Sequence, residues 1–398
     1  MPSLAMTDGA QRPEEPSPSH ENGDSFSDGP FFHRIDWLTF GITTLVAFGV
    51  YLCTIAPDVT LEDAGTFITG AAYAGVPDCP GFPFWTIYSW FFVKLIPFSN
   101  IAWRVTVGSA LAAALACGWT AMMASRGGAL LLENRPGFAG LKTERQNLLR
   151  TVCGCVAGLA LGLCEAIWSQ VALLNTWALS TALFAGMLAL LMCWTATPRR
   201  KRFLYAACFL FGLLLTNSQS LIALMPGVVL WVMFTDLELG RDLFLFAAIL
   251  ALIEMTTGLL PFFEAFSYQN IPLLIAFAPA ALGAAVACLG SRRIGSEWKP
   301  ALVCGTLFLA GLGLYFYPPL ASMTNPPLNW GYPRTVESFY HLVTRGQYDK
   351  LNPTHEVGHF MWELWIVGLE TGRLFGWLYL LFIPLPFVVL LRTQPMAR

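Results

Sequence analysis

Charged side chains are scarce in this chain: they make up 12% of its 398 residues, whereas hydrophobic residues make up 56%. Mean hydropathy is +0.57. Soluble domains carry about 25% charged residues, so the composition excludes an ordinary soluble protein. The formal net charge is only -2, and the basic residues form short clusters between apolar runs, which gives no indication of nucleic-acid binding. The sequence predicts a polytopic, all-α membrane protein.

The cysteines show no spacing typical of a metal site. Most of the ten lie singly within apolar runs, where a thiol behaves as a small hydrophobic group. Cys153 and Cys155 are too close in sequence to chelate a metal on a helix. Cys53 and Cys79 bracket a polar loop, and they are the one pair that could form a disulfide.

The N-terminus has no apolar run of the kind found in a signal peptide. It is rich in Pro, Ser, Glu, Asp and Gly. This composition cannot bury enough apolar surface to fold. We therefore predict a disordered cytosolic tail over residues 1–35 and a transmembrane domain over residues 36–398.

Apolar runs in that domain predict ten membrane-spanning helices, because about 20 apolar residues cross a bilayer. The predicted spans are Asp36–Ile55, Ile101–Ser125, Thr151–Ile167, Leu174–Thr195, Phe203–Leu215, Leu221–Phe234, Leu243–Leu260, Leu273–Leu289, Leu302–Tyr317 and Phe375–Leu391. Most of the 23 Lys and Arg residues fall in alternate connections, which the positive-inside rule assigns to the cytosol. Both termini are then cytosolic, and two long loops, about 56–100 and 318–374, lie outside.

The two outer loops carry the candidate site residues. Glu62 and Asp63 form an adjacent carboxylate pair in the first loop, which also holds Asp78 among Pro and Gly residues that fix its backbone. The stretch Phe82–Phe92 predicts an interfacial helix. In the second loop, the Pro-rich segment Tyr317–Arg334 predicts the absence of a helix, and its Asn, Trp and Arg residues suit contact with a sugar or phosphate.

Several ordered blocks resemble a bacterial integral membrane family related to protein O-mannosyltransferases, and the similarity covers most of the chain beyond residue 40. The blocks are Ile55-Ala56-Pro57, Asp63-Ala64-Gly65, Gly75-Val76-Pro77, Pro80-Gly81-Phe82-Pro83, Ala102-Trp103-Arg104-Val105, Trp168-Ser169-Gln170, Trp177-Ala178-Leu179, Asn325–Trp330 and Pro333-Arg334-Thr335.

The resemblance implies a GT-C glycosyltransferase fold in a bacterial inner membrane, and transfer of a mannose-like sugar from a polyprenyl-phosphate donor to a protein or glycan acceptor. An acidic residue of the first outer loop would act as the base, with Asp63 ahead of Glu62. The expected donor-binding residues are Arg104, Arg334, Asn329, Trp330, Asn175 and Asp78. No cofactor is firmly implied, and a divalent cation stays open.

The chain also departs from that family's pattern. Thr66 and Asn175 replace acidic residues, Asp78-Cys79-Pro80-Gly81 replaces a His-Pro-Pro-Gly run, and Thr216-Asn217-Ser218 replaces Gly-Asn-His. Two hypotheses follow: an active transferase that uses Glu62 and Asp63, or a non-catalytic protein that binds or transports a lipid-linked glycan.

A third hypothesis comes from the string His355-Glu356-Val357-Gly358-His359. Two His residues one helical turn apart can bind zinc, and the intervening Glu can activate water. The string requires a third ligand, which Glu363 or Glu370 could supply. Its place in an outer loop rather than within a span favours an ordinary interfacial helix over a zinc protease.

Overall fold

A computed structural model gives the fold, and it describes residues 29–61, 63–132, 136–172, 174–257, 281–289, 294–346 and 356–377. Over these ranges the chain is helical and forms no β-strand. The helices are α1 (Arg34–Thr54), α2 (Ala64–Tyr73), α3 (Pro83–Leu95), α4 (Ile101–Leu132), α5 (Pro136–Ala139), α6 (Thr143–Gly162), α7 (Glu165–Ala172), α8 (Trp177–Ala196), α9 (Arg202–Asn217), α10 (Met225–Thr235), α11 (Leu237–Thr257), α12 (281–289), α13 (Trp298–Leu312), α14 (Tyr317–Met323), α15 (Val336–Val343) and α16 (Val357–Phe375), with 3-10 turns at Gln219–Leu224 and Gly313–Phe316.

Helices α1, α4 and α6 pack closely side by side. At one end, the buried Asp36 carboxylate accepts hydrogen bonds from Ser125 at 2.6 Å and Arg150 at 2.7 Å. At the other end, the Tyr51 hydroxyl donates to the Gly162 carbonyl at 2.8 Å. Asp36 lies at the start of α1, Ser125 towards the end of α4 and Arg150 in the first half of α6, so successive helices run in opposite directions. This order agrees with the predicted alternation.

A second group joins α8, α9, α10 and α13. Lys201, just before α9, pairs with Glu297, just before α13. At the opposite ends of these two helices, the Tyr315 hydroxyl donates to the Leu215 carbonyl at 3.2 Å. The N-terminal ends of α9 and α13 therefore lie together, and their C-terminal ends also lie together. Basic loops that the positive-inside rule assigns to one side are thus neighbours here.

Four described helices are long and apolar enough to cross a membrane, and a bent pair, α6 with α7, makes a fifth. The four are Arg34–Thr54, Ile101–Leu132, Trp177–Ala196 and Trp298–Met323. Two further predicted spans correspond to shorter apolar helices, Arg202–Asn217 and Gln219–Thr235. The predicted span Phe375–Leu391 lies almost wholly outside the described residues. The membrane character is thus supported, and the number ten stays a prediction.

The structure departs from the sequence analysis at two points of the outer loops. A helix, α14, covers Tyr317–Met323 despite Pro318 and Pro319. The prolines occupy its first turn, where the missing N–H has no helical partner in any case. Cys53 is exposed and Cys79 is buried, and the two do not form the disulfide considered for this pair. The helix predicted around Phe82–Phe92 is confirmed as α3.

Candidate functional site

The two outer loops meet through their backbones. Val76, in the turn between α2 and α3, forms a parallel bridge with Asn329. The Val76 N–H donates to the Leu328 carbonyl at 3.1 Å, and the Trp330 N–H donates to the Val76 carbonyl at 3.0 Å. Gly75 allows this approach, because a Cβ on it would lie 2.3 Å from the Leu328 oxygen.

Side chains of α14 and α15 strengthen this junction. The Tyr317 hydroxyl donates to the Ala74 carbonyl at 2.6 Å, and Val76, Cys79, Ala321 and Leu342 pack as one buried cluster. Gly81 has a φ of +100°, and a Cβ there would meet Pro318 at 2.9 Å. Since φ in this region favours glycine, the turn and the close contact both depend on it. The first outer loop therefore rests on the second.

The junction also contacts the ends of the membrane helices. The Gln219 side chain, in the 3-10 turn after α9, donates to the Val343 carbonyl at 2.9 Å. Just before it, the buried Asn217 side chain donates to the Thr176 carbonyl at 2.9 Å and to the Ser180 hydroxyl at 2.6 Å. This amide therefore joins the end of α9 to the start of α8. Its Oδ1 atom is buried without a hydrogen-bond partner among the described residues.

Two carboxylates lie beside this junction. Asp63 immediately precedes α2, is exposed, and makes no capping hydrogen bond. Asp78 is partly buried and accepts a 2.7 Å hydrogen bond from the Cys79 N–H. Burial raises the pKa of Asp78 above its ordinary value, and the neighbouring Asp63 charge adds to the increase, while the Cys79 N–H and Arg345 oppose it. Glu62 lies outside the described residues.

Arg345 is the cation that acts on Asp78, and the sequence patterns did not single it out. It follows α15 and adopts a positive φ of 56°, which is uncommon for a residue with a side chain. Its N–H donates to the Leu342 carbonyl at 3.2 Å, which holds this turn to the buried end of α15. No motif surrounds Arg345 in the sequence, so its proximity to Asp78 emerges only from the fold.

The two arginines expected at the donor phosphate are engaged elsewhere. The Arg104 guanidinium donates to the Val93, Phe98 and Ser99 carbonyls at 2.8–3.2 Å, so it closes the turn between α3 and α4. The Arg334 guanidinium binds the Ser322 carbonyl at 3.1 Å and the Asn325 side chain. Both groups thus stabilise loop backbone around the site.

The Asn and Trp residues expected to contact the sugar donor lie in two different places. Asn329 is buried at the junction, and its Oδ1 has no hydrogen-bond partner among the described residues; Trp330 beside it is 40% exposed. Asn175 accepts a 2.6 Å hydrogen bond from the Thr176 N–H, so it shapes the turn before α8. The Thr176 carbonyl also accepts a hydrogen bond from the Asn217 side chain. Asn175 and Asn217, two positions that depart from the resembled family's pattern, therefore lie close together where α9 ends and α8 begins.

No group of three or more His, Cys, Asp or Glu side chains in the described ranges is placed to hold a metal ion. His355 of the zinc hypothesis lies outside those ranges. Glu356 immediately precedes α16, and the exposed His359 lies 3.4 Å from Glu363 in an i,i+4 pair. This pair is typical of a solvated helix face.

A family profile described as the protein O-mannosyl-transferase TMEM260 N-terminal domain matches residues 63–240. The mouse protein named "Protein O-mannosyl-transferase TMEM260" is 24% identical over 217 residues, which cover 54% of this chain and 28% of the mouse protein. The chain thus matches less than a third of that relative's length. No solved structure gives a significant match. The profile match begins at Asp63 and includes Asp78, Asn175 and Asn217. The chain is therefore related to protein O-mannosyltransferases.

Proposed function

We propose that this protein is a membrane glycosyltransferase of GT-C type that transfers a mannose-like sugar from a polyprenyl phosphate to a hydroxyl of a protein or glycan acceptor. In this proposal the outer loops face the extracytoplasmic side of a bacterial inner membrane, and both termini are cytosolic. The observation that carries the proposal is the backbone junction of Val76 with Asn329, beside which the charges of Asp63 and Arg345 both act on the Asp78 carboxyl group.

Asp63 suits the role of general base. It is exposed, it precedes a helix that fixes its position, and its side chain makes no capping hydrogen bond. In an inverting transfer the acceptor oxygen bonds to the anomeric carbon while the bond from that carbon to the phosphate oxygen breaks. The acceptor proton passes to the Asp63 carboxylate, and the polyprenyl phosphate departs with the electron pair.

Arg345 suits the role of phosphate partner. A departing phosphate needs a cation that can approach it, and charge-assisted hydrogen bonds from Arg to phosphate are strong. Arg345 is exposed, and its charge acts on the Asp78 carboxyl group. The charges of Asp63 and Arg345 both act on the Asp78 carboxyl group: Asp63 raises its pKa, and Arg345 lowers it.

A second candidate function is binding or transport of a lipid-linked glycan without transfer. Thr66 stands where the resembled family has an acidic residue, and it lies on α2 directly after the Asp63 turn. If catalysis required that second carboxylate, Glu62 would have to replace it. If Glu62 does not replace it, the same outer surface would hold the glycan without activating the acceptor hydroxyl.

The test uses purified protein in lipid nanodiscs, with a radiolabelled polyprenyl-phosphate mannose and a Ser/Thr-rich peptide. Wild-type protein should transfer label to the peptide, and a nucleotide-linked mannose should not replace the lipid donor. Donor binding without transfer would favour the second function, and neither binding nor transfer with any polyprenyl-phosphate hexose would refute the proposal.

Arg345→Ala tests the phosphate assignment in the same preparation. Loss of a hydrogen bond between charged groups costs about 1.5–3 kcal/mol, which corresponds to about 10- to 150-fold weaker donor binding. The matched control is Arg373→Ala, since Arg373 is an exposed cation that pairs with Glu370 at 2.8 Å on α16. Equal donor affinity for both variants and wild type would contradict the role of Arg345.

A further inference from the structure

Helix α16 (Val357–Phe375) has two chemically different faces. His359, Glu363 and Glu370 fall within a narrow sector at about 100° per residue. Two ion pairs lie on this side: His359 with Glu363 at 3.4 Å, and Glu370 with Arg373 at 2.8 Å. All four side chains are more than half exposed. This face therefore satisfies its charges internally and in water.

The rest of the helix circumference is apolar and mostly exposed, although Trp377 covers Gly372 and the 41% exposed Ile366 lies within the charged sector. Met361 and Trp365 are 58% and 60% exposed, and Leu364 is 49% exposed. Trp362, at the border between the faces, is 59% exposed. Single exposed apolar residues are normal on protein surfaces, but a continuous stripe of this size on one helix marks an interaction surface.

The neighbouring chain indicates what covers the stripe. The apolar run Phe375–Leu391, predicted to span the membrane, begins at the last residue of α16. If this run crosses the bilayer as predicted, one end of α16 lies at the bilayer boundary. The four charged side chains oppose insertion across the hydrocarbon, whereas tryptophan at the border of a polar and an apolar face is typical of helices that lie in the headgroup region.

We propose that α16 lies along the membrane surface, with Met361, Leu364 and Trp365 in the lipid and the His359–Glu363 and Glu370–Arg373 pairs in water. The occupant of the stripe is the lipid bilayer itself. This assignment also gives the His-Glu-x-x-His string a role without metal: His359 belongs to the water-facing side of a membrane-surface helix.

The test places the photo-crosslinking residue p-benzoylphenylalanine singly at Met361, Trp365 or Glu363 in the full chain, in nanodiscs of phosphatidylcholine and phosphatidylglycerol. After illumination, intact-mass spectrometry detects a one-lipid adduct. We expect at least a tenfold larger lipid adduct from positions 361 and 365 than from position 363. Two apolar positions are tested so that, if the variant at one of them folds poorly, the variant at the other still gives a decisive result.

Three results would overturn the proposal. Cross-links from positions 361 and 365 to another segment of the same chain would show that protein covers the stripe. Cross-links to a second copy would show a dimer interface. Equal lipid adducts at all three positions would show that α16 is surrounded by lipid and spans the bilayer rather than lying on it.

Discussion

The substitution Gly75→Ala tests the junction between the outer loops. The added Cβ would lie 2.3 Å from the Leu328 oxygen and 3.2 Å from the Pro326 Cβ. The first of these is a backbone atom, so no side-chain rotation relieves the overlap. The φ of Gly75 lies outside the left-handed region, so the effect is steric rather than conformational.

The magnitude follows from the contacts that must shift. Overpacking costs about 1–3 kcal/mol. The two backbone hydrogen bonds of Val76, at 3.1 and 3.0 Å, contribute about 0.5–1.5 kcal/mol each. We expect the junction to lose about 2–6 kcal/mol, which is about 30-fold to about 2 × 10⁴-fold in its opening equilibrium.

Hydrogen exchange at single-residue resolution measures this opening directly. The amide protons of Val76 and Trp330 should exchange faster in Gly75→Ala by that factor, because exchange follows the local opening constant. The matched control is Gly65→Ala, since the nearest atom to an added Cβ there is Val59 Cγ1 at 3.9 Å. Unchanged exchange at both amides in Gly75→Ala would refute the proposed packing of the two loops.

Two further predictions concern charge and topology. Because the folded pKa of Asp78 is raised above 3.8, its protonated form is favoured by folding, and that stability is lost as pH rises through the folded pKa. Asp78→Asn, which keeps the acceptor for the Cys79 N–H, should therefore raise Tm at neutral pH and give no gain below about pH 3.8; a pH-independent shift would contradict this cause. Epitope tags inserted near residues 140 and 200 should be accessible only from the cytosol, and a tag near residue 345 only from outside. Tags 140 and 345 on the same side would disprove the ten-span topology.

The sequence predicted the all-helical membrane character of the chain, because long apolar runs are local signals; the ten spans and their sidedness stay predictions. It also predicted the α3 helix. It did not predict the pairing of Val76 with Asn329, since contacts between residues so distant in the chain leave no local pattern. The α14 helix was missed because Pro318 and Pro319 were interpreted as helix breakers, although the first turn accepts them.

The candidate site shows the same division. Asp63 and Asp78 were recognisable as carboxylates in a shaped loop. Arg104 and Arg334 have the right charge, but only the fold reveals that backbone carbonyls engage them. Arg345 has no motif, and its proposed role depends on the end of α15 lying next to the α2–α3 turn.

The most direct test of the central claim is single-turnover sugar transfer by Asp63→Asn, with Glu62→Gln as the matched control and donor binding measured in parallel. Asp63→Asn keeps the size of the side chain and removes the proton acceptor. It should slow transfer by about 10²- to 10⁴-fold while donor affinity and Tm stay close to wild type, and Glu62→Gln should cost much less. Full activity in Asp63→Asn, with the loss appearing in Glu62→Gln instead, would contradict the assignment of Asp63 as the base.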